Sequence, residues 1–311
     1  MPLYPVPILT DGATHSAEQF RAMVQDLARG AEGITQGTDL KVTQLGTPGA
    51  SVQVASGSGV VRGRANAFQG SYAVRNQGTD TVSIASTGGS PRSDMLILRV
   101  EDPQYEGSLN PAVDNINYFQ IISNVSSSAT AIPDGRTGIP LARIDIPAST
   151  STITNAMIKD IRQVANPRRD RQLLTFSPAG TSTSISNSNG TFAYFSTAPG
   201  WNIAIPAWAT VVRVRVDIAQ IKYSVAAFIG QLRATFGASL TLQPVILDDN
   251  QTAIRRAVAV VADTLTIPDA YRGTTQLLRP QATGTTGNTG TVAVDGSSTL
   301  IADIEFFEGP R

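Results

Sequence analysis

Residues 92 to 102, RSDMLILRVED, constrain the fold more than any other stretch of this chain. Met95, Leu96, Ile97 and Leu98 run without a polar break, and Arg92, Asp94, Arg99, Glu101 and Asp102 bracket them with charge. A short unbroken apolar run of this kind suits a strand covered on both faces, which makes it the expected central strand of a first domain. Two other stretches fit around it. SVQVASGSGVVRG at residues 51 to 63 reads as an alternating strand with a Gly/Ser break, where a bulge or tight turn is expected. IPLARIDIPASTSTITNAMIKDIRQ at residues 139 to 163 reads as a strand followed by a helix over residues 155 to 163, with Thr154 as its cap.

Before these strands, Pro2, Pro5 and Pro7 lack backbone N–H groups and predict an extended arm over residues 1 to 9. Ser16 and Gln19 form a capping box. Phe20, Met23, Val24 and Leu27 then recur at i, i+3, i+4 and i+7, with Gly30 as the stop. This is the clearest helix in the sequence, and its stripe must pack either on its own domain or on copies of itself.

Charged residues make up 15% of the chain, against about 25% in an ordinary soluble protein. The apolar 41% is rich in Val and Ile in alternating runs, enough to bury a core. The 24 basic and 24 acidic residues cancel, with no long run of either sign. That leaves no electrostatic footprint for nucleic acid or for anionic membranes. There is no cysteine, so disulfides and thiolate metal sites are excluded. The first residues carry no secretory signal, and no stretch has the length of a transmembrane helix. The chain is therefore expected to fold in a cytosol. Its low charge and Ser/Thr/Gly-rich strands are nonetheless typical of proteins that work outside cells, and a virion component assembled in a host cytoplasm satisfies both.

Chemistry has few footholds. His15 is the one histidine, beside the first helix cap, where a surface role is the ordinary one. Nucleophilic triads that need a second base are thereby set aside. Glu101, Asp102, Asp248, Asp249 and Glu305 could in principle supply two carboxylates for glycan cleavage. Asp248-Asp249-Asn250 lacks the spacing of a calcium loop, and the glycine-rich stretches lack a P-loop lysine. No catalytic residue, metal site or cofactor is expected.

The helix near the N-terminus, V-x-V-x-x-G-x-G-V-V-x-G, the R-S-D strand ending in R-V, and I-P-L-A-R-I-D-I-P ahead of I-x-D-I-R together resemble the N-terminal module of minor tail and upper baseplate proteins of long-tailed bacteriophages. The resemblance covers roughly residues 15 to 165 and rests on several short motifs. It implies a structural protein of a phage tail tip or baseplate, an adaptor or fibre that is a homotrimer and contacts other tail proteins. On its matching positions, Arg92, Asp94, Asp160 and Arg162 are expected to pair and tie the second helix to the central strand. Phe20, Met23, Val24 and Leu27 become candidates for the oligomer or anchoring contact.

Arg168, Arg169 and Arg171 form a basic joint, after which the texture changes. About nine strands follow at sandwich-like spacing. In ATVVRVRVDI, Val212, Val214, Val216 and Ile218 face one way, with Arg213, Arg215 and Asp217 opposite. The expectation is a mainly β protein. An arm and helix occupy residues 1–35, a β-barrel or sandwich module 36–167, and a jelly-roll-like β-sandwich head 168–311 that faces a host glycan, a host protein or another tail protein. Trp201 and Trp208 have three readings: core packing at a sandwich edge, receptor or glycan contact, or an intersubunit contact. The rival functions are a tail-associated glycan depolymerase and a lectin-like binding module.

Overall fold

The apolar run at residues 95 to 98 lies in the strand Arg92–Val100, with Met95, Leu96 and Ile97 fully buried and Leu98 nearly so. In the computed structural model, which describes residues 6–311, this strand stands inside a four-stranded antiparallel sheet. The order is Ile158–Asp160, Gly138–Ile146, Arg92–Val100, Asn117–Ile122. The chain divides into two units. The first runs to Pro167 and includes Gly309–Arg311; the second is Arg168–Glu308. The second unit thus closes before the end of the sequence. The arm and helix assigned to residues 1–35 count with the first unit, whose core includes Ile34.

Two three-stranded sheets complete the first unit. One orders Gly33–Ile34, Gly57–Arg62 and Ser71–Asn76; the other orders Val42–Gln44, Ser51–Val54 and Asp80–Ser83. The segment at residues 51 to 63 is therefore two strands that belong to different sheets, and the Gly/Ser break is the crossing between them. Gly57 sits there at φ +153°, where a Cβ would meet Asp39 at 2.6 Å. Val52, Val54, Val61, Leu96, Leu141 and Ile144 meet in the core.

The expected helix over residues 155 to 163 does not form. One 3-10 turn, Asn155–Met157, leads into the strand Ile158–Asp160, which pairs with residues 142 to 144. Thr154 makes no side-chain cap bond. The β-branched Ile158 and the pairing edge of Gly138–Ile146 outweigh a weak helix signal. Of the proline arm, residues 1–5 lie outside the described residues. Val6 accepts a bond from Gln19 Nε2 at 3.1 Å, so the described end of the arm lies against its own helix.

In the second unit, eight strand lines make two antiparallel sheets. The first line is Arg169–Phe176, and the second is Ala193–Tyr194 with Trp201–Ala204. The third and fourth are Val211–Ser224 and Phe228–Phe236, and the fifth is Leu240–Thr241 with Val245–Asp249. The sixth and seventh are Arg255–Thr266 and Thr275–Gly284; Thr291–Ala293 and Thr299–Phe307 form the eighth. One sheet orders lines one, eight, three and six; the other orders two, seven, four and five. Val212, Val214, Val216 and Ile218 are fully buried, and the residues between them face away from the core. Period-two alternation is what a sheet with one solvated face requires.

Both ends of this unit meet. Arg168 N and Nε donate to Glu308 Oε2 at 3.1 and 2.9 Å, and Nη2 donates to Oε1 at 2.6 Å. Glu308 N in turn donates to Arg168 O. The last residues return to the first unit, where Arg311 N donates to Gly37 O.

Candidate functional surfaces

The helix Ala17–Leu27 begins as its sequence dictates. Ser16 Oγ accepts from Gln19 N at 3.2 Å, and Gln19 Oε1 accepts from Ser16 N at 2.9 Å, closing the capping box. What the helix buries is not its apolar stripe. Arg21 is its buried residue, 9% exposed, while Phe20 is 43% and Leu27 is 74% exposed. Met23 and Val24 are half-buried. At about 100° per residue, Arg21 sits roughly a quarter turn round from Phe20, so the face that docks and the face that is apolar differ.

The reason is a polar socket built by distant segments. Arg21 Nε donates to Gln69 O at 2.8 Å, and Nη2 donates to Gln104 Oε1 at 2.9 Å and to Tyr105 OH at 3.0 Å. Nη1 lies 3.4 Å from Asp102. Tyr72 and Tyr105 stack their rings on the guanidinium at 5.6 and 5.2 Å. Tyr72 donates to Asp102 Oδ2 at 2.8 Å, and burial, with that carboxylate beside it, pushes its phenol well above the ordinary tyrosine range. Gly70, at φ +76°, allows the approach, since a Cβ there would sit 2.7 Å from the Arg21 backbone. His15 packs edge-on against Phe20, ring centroids 6.2 Å apart, with both ring nitrogens enclosed.

The four ion-pair candidates form two separate pairs. Arg92 holds Asp94 through Nε at 2.8 Å and Nη2 at 2.9 Å, and the fully buried Asp94 also accepts from Asn124 N. Arg162 holds Asp160 at 2.9 and 2.6 Å, and donates to Asp39 O and Arg311 O. Neither pair ties a helix to the central strand. Each links residues i and i+2 along extended backbone, whose side chains share one face. Arg99 with Glu101, Arg143 with Asp145 and Arg215 with Asp217 repeat the device, and Asp134 with Arg136 makes the same i, i+2 pair across a turn at Gly135.

Trp201 packs against both core clusters of the second unit with its indole N–H enclosed, and Trp208 packs on one of them beneath the Arg168 guanidinium at 5.3 Å. Both are half-buried packing residues. The aromatic side chain that this unit leaves most open is Tyr194, 42% exposed, which sequence reasoning passed over.

The carboxylates weighed for glycan cleavage are engaged. Glu101 accepts from Tyr118 OH and pairs with Arg99; Asp102 pairs with Arg21. Asp249 accepts from Gln251 N and pairs with Arg255, and against the cost of burial the two hold it below the usual carboxylate range; Glu305 lies between Arg169 and Arg213. Asp248 stands exposed on an outer strand. A cleft of about 240 Å³ in the first unit, over Ile132, Ile139 and Pro140, has charges that pair among themselves: Glu32 with Arg64, and Asp134 with Arg136. Among the described residues no group of three His, Asp or Glu could hold a metal ion, and no helix is long and apolar enough to cross a membrane.

No protein-family model matches the chain, and no curated protein matches it. Among solved structures, the Gx strain of infectious bursal disease virus is 13% identical, with 89% of this chain and 75% of that chain covered, at TM-score 0.27. The VP2 subviral particle of the same virus is 14% identical, covering 90% and 74%, at TM-score 0.26. A Cry1Da tryptic core variant of Bacillus thuringiensis is 10% identical, covering 98% and 57%, at TM-score 0.21. At such TM-scores these likenesses carry no argument about function.

Proposed function

We propose that this chain is a structural, non-catalytic virion protein of a phage tail tip or baseplate, assembled as a homotrimer. Its first unit anchors to the tail, and its second unit is an outward head. The observation that carries this reading is the helix Ala17–Leu27, which spends its inward face on Arg21 and leaves Phe20 and Leu27 in solvent. An amphipathic helix held rigidly by a charged anchor, with its apolar side open, is an assembly surface. The phage resemblance of residues 15 to 165 supports the same reading.

The second unit is read as a jelly roll. Its pairings of line one with eight, two with seven, three with six and four with five are those of one long hairpin rolled into two sheets. Jelly rolls serve as capsid and lectin domains.

Two measurements test the proposal. Antibody against the chain, applied to particles purified from a lysate that carries it, is expected to label the tail tip in electron micrographs. Particles without label overturn the virion role. Light scattering of the full chain is expected to give three times 32.7 kDa, 98.1 kDa, falling to 32.7 kDa in Phe20→Glu/Leu27→Lys. A mass unmoved by the double substitution removes the helix from the interface. Deleting residues 1–35 would not serve, because Ile34 is fully buried and Arg21 anchors the socket.

A further inference from the structure

The six-stranded sheet of the second unit holds two aromatic rings on its outer face. Tyr194 pairs in register with Gln281, and its hydroxyl lies 3.1 Å from Thr235 Oγ1. The Arg279 guanidinium stacks on its ring at 4.4 Å. Arg279 is itself fixed, donating through Nε to Ala198 O at 2.9 Å and through Nη2 to Phe195 O at 3.2 Å. Phe192, two residues earlier on the same face, carries the Arg233 guanidinium at 3.7 Å. Arg233 Nε donates to Gln281 Oε1 at 2.6 Å. The register sets Thr235 opposite Arg279 and Arg233 opposite Gln281, so these side chains occupy adjoining rungs of one face.

Charge distinguishes this face from the outer face of the other sheet. There, Arg169, Arg171, Arg213 and Arg215 each have a carboxylate across or along the strand. Among the described residues, Arg233 and Arg279 have none. A guanidinium kept half-exposed beside an aromatic ring, with donors left over, suits a carboxylate or phosphate approaching in its plane. The rings offer a flat apolar surface to the C–H face of a sugar, and Thr235 and the phenol supply partners for hydroxyls, while the buried Gln281 serves to hold Arg233 in place. Because Arg279 and Thr235 already hold Tyr194, little side-chain freedom is lost on binding.

We infer that the face built by Phe192, Tyr194, Arg233 and Arg279 binds an anionic saccharide, a sugar chain that carries carboxylate or phosphate. The inference deepens the proposed outward role of the second unit and rests on it. The test is calorimetric titration of the full chain with a hyaluronan octasaccharide, a glycerol-phosphate teichoic acid and neutral chitohexaose. Saturable binding of an anionic probe is expected, weakened by added salt and roughly tenfold weaker in Tyr194→Ala and in Arg233→Gln, with Tyr194→Phe between Tyr194→Ala and the parent because the ring stays and the hydroxyl is lost. Unchanged tryptophan emission in each variant shows that the head remains folded. The carboxylate and phosphate arms identify the source of the charge. Binding of neither anionic probe, equal binding by the variants, or equally tight chitohexaose binding overturns the inference. So does a Tyr194→Ala variant that changes only the mass in light scattering, since the face then belongs to a protein contact. Particles labelled at the tail tip with no saccharide binding sink this inference and leave the virion role standing; unlabelled particles together with saturable binding of an anionic probe sink the virion role and leave the binding face.

Discussion

Replacing Arg21 with alanine withdraws three hydrogen bonds and an ion pair from a position only 9% exposed. Removing one partner of a buried pair costs about 3–5 kcal/mol, because the remaining charge is left without compensation. Here Asp102 keeps Tyr72 OH and Gln104 N as donors, which places the cost near the lower end, about 3 kcal/mol. The loss falls on a single eleven-residue helix that cannot persist undocked in water. Local opening is therefore expected to become roughly a hundredfold more frequent, at about 1.4 kcal/mol per decade. Hydrogen exchange read by mass spectrometry on peptides covering residues 17–28 measures it, with peptides over residues 212–218 as an internal reference. Adding Asp102→Asn to Arg21→Ala should restore part of the protection, since the orphaned carboxylate is the source of much of the cost. Protection of the helix reduced less than threefold in Arg21→Ala refutes the socket as its anchor. A double variant worse than the sum of the single ones refutes the charge argument.

Three further outcomes follow from the same geometry. Gly70→Ala places a Cβ against the Arg21 backbone at φ +76° and should expose the same helix peptides to exchange as Arg21→Ala; unchanged exchange there would show that the close approach is not needed. Trp201→Ala should lower the stability of the second unit by about 3–5 kcal/mol in urea titrations followed by Trp208 fluorescence, and a variant of parental stability would return Trp201 to the list of contact residues. Arg256 bonds Asp295 at 3.0 and 2.7 Å and holds its carboxyl below the ordinary aspartate value of 3.8. The stability this pair contributes is present above pH 3.8 and lost as pH falls through the lower folded value, so Asp295→Asn should flatten the acid branch of the second unit's unfolding curve; an unaltered branch would count against the pair.

The sequence carried the local rules and missed the partnerships. The Ser16 capping box and the alternation of Val212 to Ile218 are read from neighbouring residues and stand in the structure as they stand in the chain. The burial of residues 95 to 98 followed from an unbroken apolar run. Which face the helix docks was not legible, because Arg21 is paired by Gln69, Asp102, Gln104 and Tyr105, all far along the chain. Residues 158 to 160 became a strand through a pairing edge that local propensity does not see. Of the candidate contact aromatics, indole size drew attention to Trp201 and Trp208. Exposure depends on sheet register, which puts Tyr194 outside and both tryptophans against the core.

The clasp between Arg168 and Glu308 makes the second unit an inserted cassette. Its entry and exit strands leave side by side, and the polypeptide resumes the first unit at Gly309. A foreign domain with adjacent termini could be spliced between Pro167 and Gly309 without reworking either neighbour's core. Exchange at those two joints would then replace the whole second unit in one step and leave the first unit's chain unchanged.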